Sequence, residues 1–308
     1  MTDPFYKDFS APGLRLITQG EEMARTRKWI DYTSLGLTHA HIPELIRIVR
    51  EIDAFFGLDA VIEPPDIYAP IHAWRALAQL QAEEAILPLI ELVIWDENGD
   101  VDWIMEEIPT AMSLIGSTAL PSLRENLLNT LEMEWAPVTF SHCLAEIAQA
   151  HPESRDVCVQ ALMEALERYE TTDSEVNAFF VTYLADLKAL EAVPLVEKAF
   201  MAEKVSFSVD GDFEDFQIRM GLLEKRLTPP PRYQHWGEDA FNLWDKEKEE
   251  RQEEERRKRE QEKKAKKRKK PRKKRAKDIK RKSKERIQVS CELSEEHTIC
   301  YPTLRNGT

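Results

Sequence analysis

Between residues 21 and 205 the chain alternates amphipathic segments with short polar links, and one kind of junction recurs five times. The copies are YTSLGLTHAHIPELIRIV, WRALAQLQAEEAILPLIELV, AMSLIGSTALPSLRENLL, CLAEIAQAHPESRDVCVQALMEAL and VTYLADLKALEAVPLVEKAF. In the second, Trp74, Leu77 and Ala78 and then Ile86, Leu89, Ile90 and Val93 fall at helical spacing. In the fifth, Val181, Leu184 and Leu187 and then Val193, Val196, Ala199 and Phe200 do the same. A 3.6-residue apolar period predicts helices with one buried face. Each copy therefore predicts a helix pair, and one pair buries too little by itself, so neighbours must stack.

Prolines mark where the second helices begin. Pro43, Pro88, Pro121 and Pro194 are 45, 33 and 73 residues apart, and the last interval holds two units, with Pro152 of the fourth copy displaced. Proline in a first helical turn gives up no needed hydrogen bond and arrives with a helical φ. After the fifth copy, GDFEDFQIRMGLL (211–223) predicts a closing helix with a polar outer face, and TPPPR (228–232) stops it.

With these junctions, residues 21–205 resemble the HEAT family of α-solenoids, and the shorter units are similar to the HEAT-like repeats of phycobilin lyases. The stretch DWIMEEIPTAMSLIG, with Pro109 inside its first helix, also resembles uncharacterised bacterial HEAT-like proteins. The resemblance implies an all-α, right-handed solenoid of about five antiparallel helix pairs plus a closing helix. The leading functional expectation for such a shape is a non-enzymatic protein-binding scaffold or adaptor with an acidic repeat surface and a basic tail. A phycobilin lyase-like or lyase-chaperone role is the alternative, in which the reacting thiol belongs to the client. The expected organisation is an N-terminal extension (1–20), the helical repeats (21–227), a Pro/aromatic linker (228–245), a charged single helix (246–270) and a disordered basic and polar tail (271–308).

Charge divides the chain in the same place. Its 308 residues carry a formal −13, but residues 1–245 hold 18 Lys/Arg against 43 Asp/Glu, a net −25, while residues 246–286 hold 24 against 10, a net +14. Glu253, Glu254, Glu255 and Glu260 each stand four residues before a Lys or Arg, a pairing that supports an isolated helix as far as Pro271. Beyond it the composition predicts disorder. The densest positive run is Lys266, Lys267, Arg268, Lys269, Lys270, Arg272, Lys273, Lys274 and Arg275. It is compatible with non-specific nucleic-acid or ribosome contact, although it has no aromatic residue on which a base could stack. It is also compatible with a merely solvated tail, or with one that screens the chain's own acidic body at high effective concentration.

The acidic excess of the body predicts a basic protein partner. The candidate partner-binding residues lie on the second helices, expected to line a concave face: Glu44, Arg47, Glu91, Arg124, Glu125, Glu164, Glu167 and Glu197. The loop WDENGDVDW places Asp96, Glu97, Asp100 and Asp102 between Trp95 and Trp103. Such a loop can trap a Lys/Arg side chain, or simply form a turn at Asn98-Gly99 with Asp102 as helix cap. VDGDFEDF (209–216) lacks the ligand spacing of an EF-hand and reads as capping of the last helix rather than as a calcium loop.

Cys143, next to His142, and Cys158 read as core thiols, and Cys291, His297 and Cys300 lack the fourth ligand of a structural zinc site. Trp236, Phe241, Leu243 and Trp244 interrupt the charged linker as a segment that folds back or docks in a partner. No P-loop, dinucleotide-binding glycine pattern or serine elbow occurs, and no cofactor is implied, while carboxylate-based chemistry stays open. No stretch approaches 18 apolar residues, the first residues do not resemble a signal peptide, and the four cysteines are scattered. The expectation is a cytoplasmic protein with reduced thiols and no membrane contact.

Overall fold

The computed structural model describes residues 9–26, 28–56 and 66–230. All regular structure among them is helical: α1 (Ala11–Ile17), α2 (Gly20–Ala24), α3 (Ile42–Arg50), α4 (Asp53–Phe56), α5 (Ala69–Gln79), α6 (Ile86–Trp95), α7 (Asp102–Ile115), α8 (Leu120–Asn129), α9 (Ala136–Ala150), α10 (Arg155–Leu166), α11 (Ser174–Asp186), α12 (Val193–Met201), α13 (Phe207–Asp210) and α14 (Phe213–Met220). The chain divides at Tyr233, and every described residue belongs to the first unit, Met1–Tyr233. The expected charged helix (246–270), the basic run with its tail, the Trp236–Trp244 segment and Cys291, His297 and Cys300 lie outside the described residues.

The helices form two rows. In one, α5, α7, α9 and α11 touch in succession; in the other, α3, α6, α8, α10 and α12 do so. The rows also meet face to face, with α6 against α7, α8 against α9 and α10 against both α9 and α11. The core lies between them. A helix with neighbours on three sides can be apolar almost all round, which explains ILPLIELVIW: α6 buries Ile86, Leu89, Ile90, Leu92 and Val93 against α3, α7 and α8. Complete burial of one such side chain stabilises by about 1.5–3 kcal/mol, so stacking, not helix propensity, holds the rows together.

The five junctions share one geometry. A short 3₁₀ turn at residues 39–41, 83–85, 117–119, 152–154 and 190–192 leads directly into α3, α6, α8, α10 and α12. These helices start 44, 34, 35 and 38 residues apart. Their fourth positions are Leu45, Leu89, Leu123, Cys158 and Val196, all fully buried. Their eighth positions are Val49, Val93, Leu127, Leu162 and Phe200, of which the first four are buried and Phe200 packs against the core. The last residue of the turn is small and buried in four copies, Ala85, Ala119, Ser154 and Ala192, because there the backbone abuts the neighbouring helix. Pro152 is displaced because it opens the 3₁₀ turn, whereas Pro43, Pro121 and Pro194 sit in the first turn of the helix itself.

Residues 9–17, which the sequence reading sets apart as extension, join the core. Ser10 caps α1 by accepting from the Gly13 N–H, and Leu16 and Ile17 are buried. The segment after α1 is fixed by polar residues of α5. The His72 ring bonds the Tyr32 hydroxyl at 2.6 Å and the Gly20 carbonyl at 3.0 Å. Arg75 donates to the carbonyls of Met23 (3.0 Å) and Ala24 (2.6 Å) and to both carboxylate oxygens of Glu107 on α7. Gln79 donates to the Ile30 carbonyl and accepts from the Tyr32 N–H. Hence three polar side chains one helical turn apart bind a segment that has little helix of its own.

At the other end the carboxylates of VDGDFEDF cap α14, as expected. Asp212 accepts from the Glu214 and Asp215 N–H groups, and Asp215 reaches back to the Asp212 N–H. The guanidinium of Arg226 lies among them, bonded to Asp212 and Asp215, while Glu214 accepts from the Leu227 and Thr228 N–H groups. The Arg226 bonds, opposed by partial burial, hold the Asp212 carboxyl below its ordinary range. A cation of the chain itself thus occupies these oxygens. Arg226→Gln is expected to speed thermolysin cleavage at Leu227 several-fold without moving the thermal midpoint of the helical unit, since only the strap 222–230 is released. Unchanged cleavage would show that the contact does not hold the strap.

Candidate functional site

Because the chain passes between rows through short links, the links gather on two edges. On one edge, Gln81 reaches the Leu114 carbonyl, His151 meets the Ser113 carbonyl, and Arg155 donates to the carbonyls of Leu187 and Lys188. On the other are the return links 96–101, 130–135, 167–173 and 202–206. Gly99, at φ +65°, lies so close to Trp135 that a Cβ there would stand 2.9 Å from the indole. Asn177 is fully buried, and its amide nitrogen reaches the carbonyls of Tyr169, Thr172 and Lys204, joining the last two links. The return links hold nine Asp/Glu (Asp96, Glu97, Asp100, Glu132, Glu134, Glu167, Glu170, Asp173, Glu203) against Arg168 and Lys204. This edge is therefore acidic, and its links are contiguous.

Midway along it a cleft of about 430 Å³ opens between the start of α9 and the start of α11. Its floor is apolar, from Met133, Trp135, Val138, Val176 and Phe179, and its rim carries Glu132, Glu134, Asp173 and Glu175. A shallower hollow of about 670 Å³ shares Glu132, Asp173 and Ser174 with it and extends to Glu170, Glu203 and Lys204. Asp173 is committed to capping α11, accepting from the Glu175 and Val176 N–H groups. Glu132 and Glu134 are exposed. Along the α9/α11 groove the aromatic surface continues. Phe179 and Tyr183 stand 6.5 Å apart, and Tyr183 stacks on His142 at 5.3 Å and 10°. Burial raises the Tyr183 phenol and keeps it neutral.

The residues expected on the second helices divide by register. Arg47, Glu91 and Glu125 occupy the sixth position, and Arg124 and Glu197 the fifth, so these five share one outward strip. Three cations on or beside that strip are used within the chain: Arg47 pairs with Glu51 at 3.1 Å, Arg50 with Glu91 at 3.2 Å, and Arg124 donates to Glu164 at 2.7 Å. Glu44 accepts from the Ser10 N–H and hydroxyl and thereby fastens α1 to α3. Glu167 is exposed on the return link after α10, at the acidic edge.

The loop at 95–103 behaves mostly as a turn. Asp96 is buried and accepts from the Val101 N–H, and Asn98-Gly99 makes the reversal. Burial, only partly offset by backbone hydrogen bonds, raises the Asp96 carboxyl above its ordinary value. Asp102 is the first residue of α7 rather than its cap, and Val101 precedes it. Trp95 donates to Asp53 at 2.8 Å. Trp103 and Trp29 lie 6.0 and 5.5 Å from the Arg75 guanidinium, so the tryptophan reads a cation, but one belonging to the chain. Glu97 and Asp100 are exposed on the acidic edge. Sequence reading did not single out the cleft at Trp135 or the His72/Arg75/Gln79 stripe. The stripe was visible as three polar residues at one turn's spacing in the otherwise apolar PIHAWRALAQ.

Cys143 and Cys158 are fully buried, and burial pushes their thiols up, Cys158 to about 11, so neither supplies a thiolate at neutral pH. Among the described residues no three His, Cys, Asp or Glu side chains cluster as a metal site, and no helix is long and apolar enough to cross a membrane. Compared with protein-family models, with curated proteins and with solved structures, the chain matches none.

Proposed function

We propose that the chain is a non-enzymatic binding scaffold, an α-solenoid of HEAT-like type whose acidic edge receives a Lys/Arg-rich segment of another protein. The solenoid reading is supported by the five repeated 3₁₀-to-helix junctions with buried fourth and eighth positions. The observation that carries the function is the contiguity of the return links, which place eight exposed carboxylates, Asp96 being buried, against two cations along one edge. Such an edge steers cations and repels phosphate, so a nucleic acid is a poor ligand for it. The basic sequence 263–286 illustrates the partner class within this chain.

A fluorescent decapeptide of mixed Lys and Arg, titrated into the full chain, tests the reading by anisotropy. Saturable binding is expected at low salt, weakening by about tenfold or more between 0.05 and 0.5 M NaCl, because exposed charge pairs are screened over about 10 Å at 0.1 M. A peptide with Glu in place of every Lys and Arg is expected not to bind. Absence of binding by the basic peptide, or affinity that salt does not change, would remove the proposal.

A further inference from the structure

We infer that the groove between α9 and α11 selects arginine over lysine, taking the guanidinium of a basic partner segment onto its aromatic floor between the rim carboxylates. The inference rests on the scaffold reading and narrows it to one groove and one side chain.

The floor and the rim ask for different properties in a ligand. Trp135, Val138 and Phe179 form an apolar base that a strongly hydrated ammonium does not desolvate onto readily. A guanidinium is planar and weakly hydrated, and it stacks on aromatic faces while its edge N–H groups point outward. Glu132 and Glu134 stand at the rim, where carboxylates accept from such a fork in bidentate fashion. Both are exposed, so they keep their solvation until a ligand arrives. Apolar surface beneath and fixed negative charge around it complement arginine better than lysine, an acidic peptide or a purely apolar one.

The chain itself shows this pairing elsewhere: Arg75 lies over the rings of Trp29 and Trp103 while bonding a glutamate. The α9/α11 groove offers aromatic and carboxylate groups of the same kind, and among the described residues that line it there is no Lys or Arg.

The test compares deca-arginine and deca-lysine peptides, equal in charge and length, on the full chain by isothermal calorimetry. Deca-arginine is expected to bind about tenfold more tightly, the difference that guanidinium stacking and bidentate pairing supply. Phe179→Leu is expected to bring the ratio of the two affinities close to one while leaving that of deca-lysine near its original value. Glu132→Gln with Glu134→Gln, on exposed side chains that do not threaten folding, is expected to weaken deca-arginine binding several-fold. Equal affinity of the two peptides for the native chain, or a ratio that survives Phe179→Leu in a folded variant, overturns the inference while the scaffold reading stands. Loss of binding by both peptides to the native chain overturns both.

Discussion

Arg75→Ala is expected to lower the unfolding free energy of the helical unit by about 3–5 kcal/mol, the range for removing one partner from a buried ion pair. Arg75 is 1% exposed, and the Glu107 side chain 13%. Burial disfavours the Arg75 charge, yet the bonds to Glu107 raise its pKa above the ordinary value. Deleting the guanidinium leaves Glu107, among the described residues, with the Trp74 indole N–H at 2.9 Å as its remaining hydrogen-bond donor. The Ala24 carbonyl loses its side-chain donor in the same step, and the Met23 carbonyl keeps only the Thr26 hydroxyl. Urea unfolding measures the loss, and hydrogen exchange is expected to show residues 20–26 opening first. Neutralising both partners, Arg75→Met with Glu107→Gln, removes the stranded charge and is expected to recover a large part of the stability. A loss below about 1 kcal/mol for Arg75→Ala would mean that the pair is not isolated from water as the geometry requires.

Acid is expected to weaken the same region through His72. The ring is fully buried, and burial, aided by the charge of Arg75 and opposed by the Gly20 carbonyl, pushes its pKa down to about 4. With the proton on Nε2 facing the Gly20 carbonyl, Nδ1 accepts from the Tyr32 hydroxyl, so the neutral ring satisfies both partners. In the unfolded chain the imidazole takes up its proton near pH 6.5. The stabilisation is therefore complete above pH 6.5 and disappears as the pH falls through the folded value near 4. That interval corresponds to roughly 3 kcal/mol. His72→Gln keeps one donor and one acceptor but does not titrate. Its stability is expected to change less between pH 7 and pH 4 than that of the native chain, by about that amount. Parallel pH profiles for the two proteins would rule out His72 as the titrating group.

Much of the helical architecture could be read from the chain because it repeats. Periodic apolar residues and a proline or small residue at each junction are local signals, and five copies correct one another's irregularities. Cys158 shows the gain: alone it is an ambiguous thiol, but in register with Leu45, Leu89, Leu123 and Val196 it is a core position. The site was less legible, since which acidic links adjoin depends on the stacking of the rows rather than on any motif. Nothing near Trp135 in sequence announces that Gly99 and Phe179 will be its neighbours. In the expected binding strip the sequence left a different thing unread, which charges pair with one another. Charges recurring every 40 residues or so met each other first, as Arg50 with Glu91 and Arg124 with Glu164.

The two ends of the helical unit are closed by different chemistry, and each chemistry has its own solvent key. At the beginning, α5 clasps residues 20–26 and 28–32 through groups hidden from water, which salt barely reaches and protons undo. At the finish, Arg219 and Arg226 hold carboxylates near the surface, where ions compete freely. Lowered pH should therefore fray the array from its front and raised ionic strength from its rear, so a cell compartment's acidity and its salt would each expose a different face of the same core.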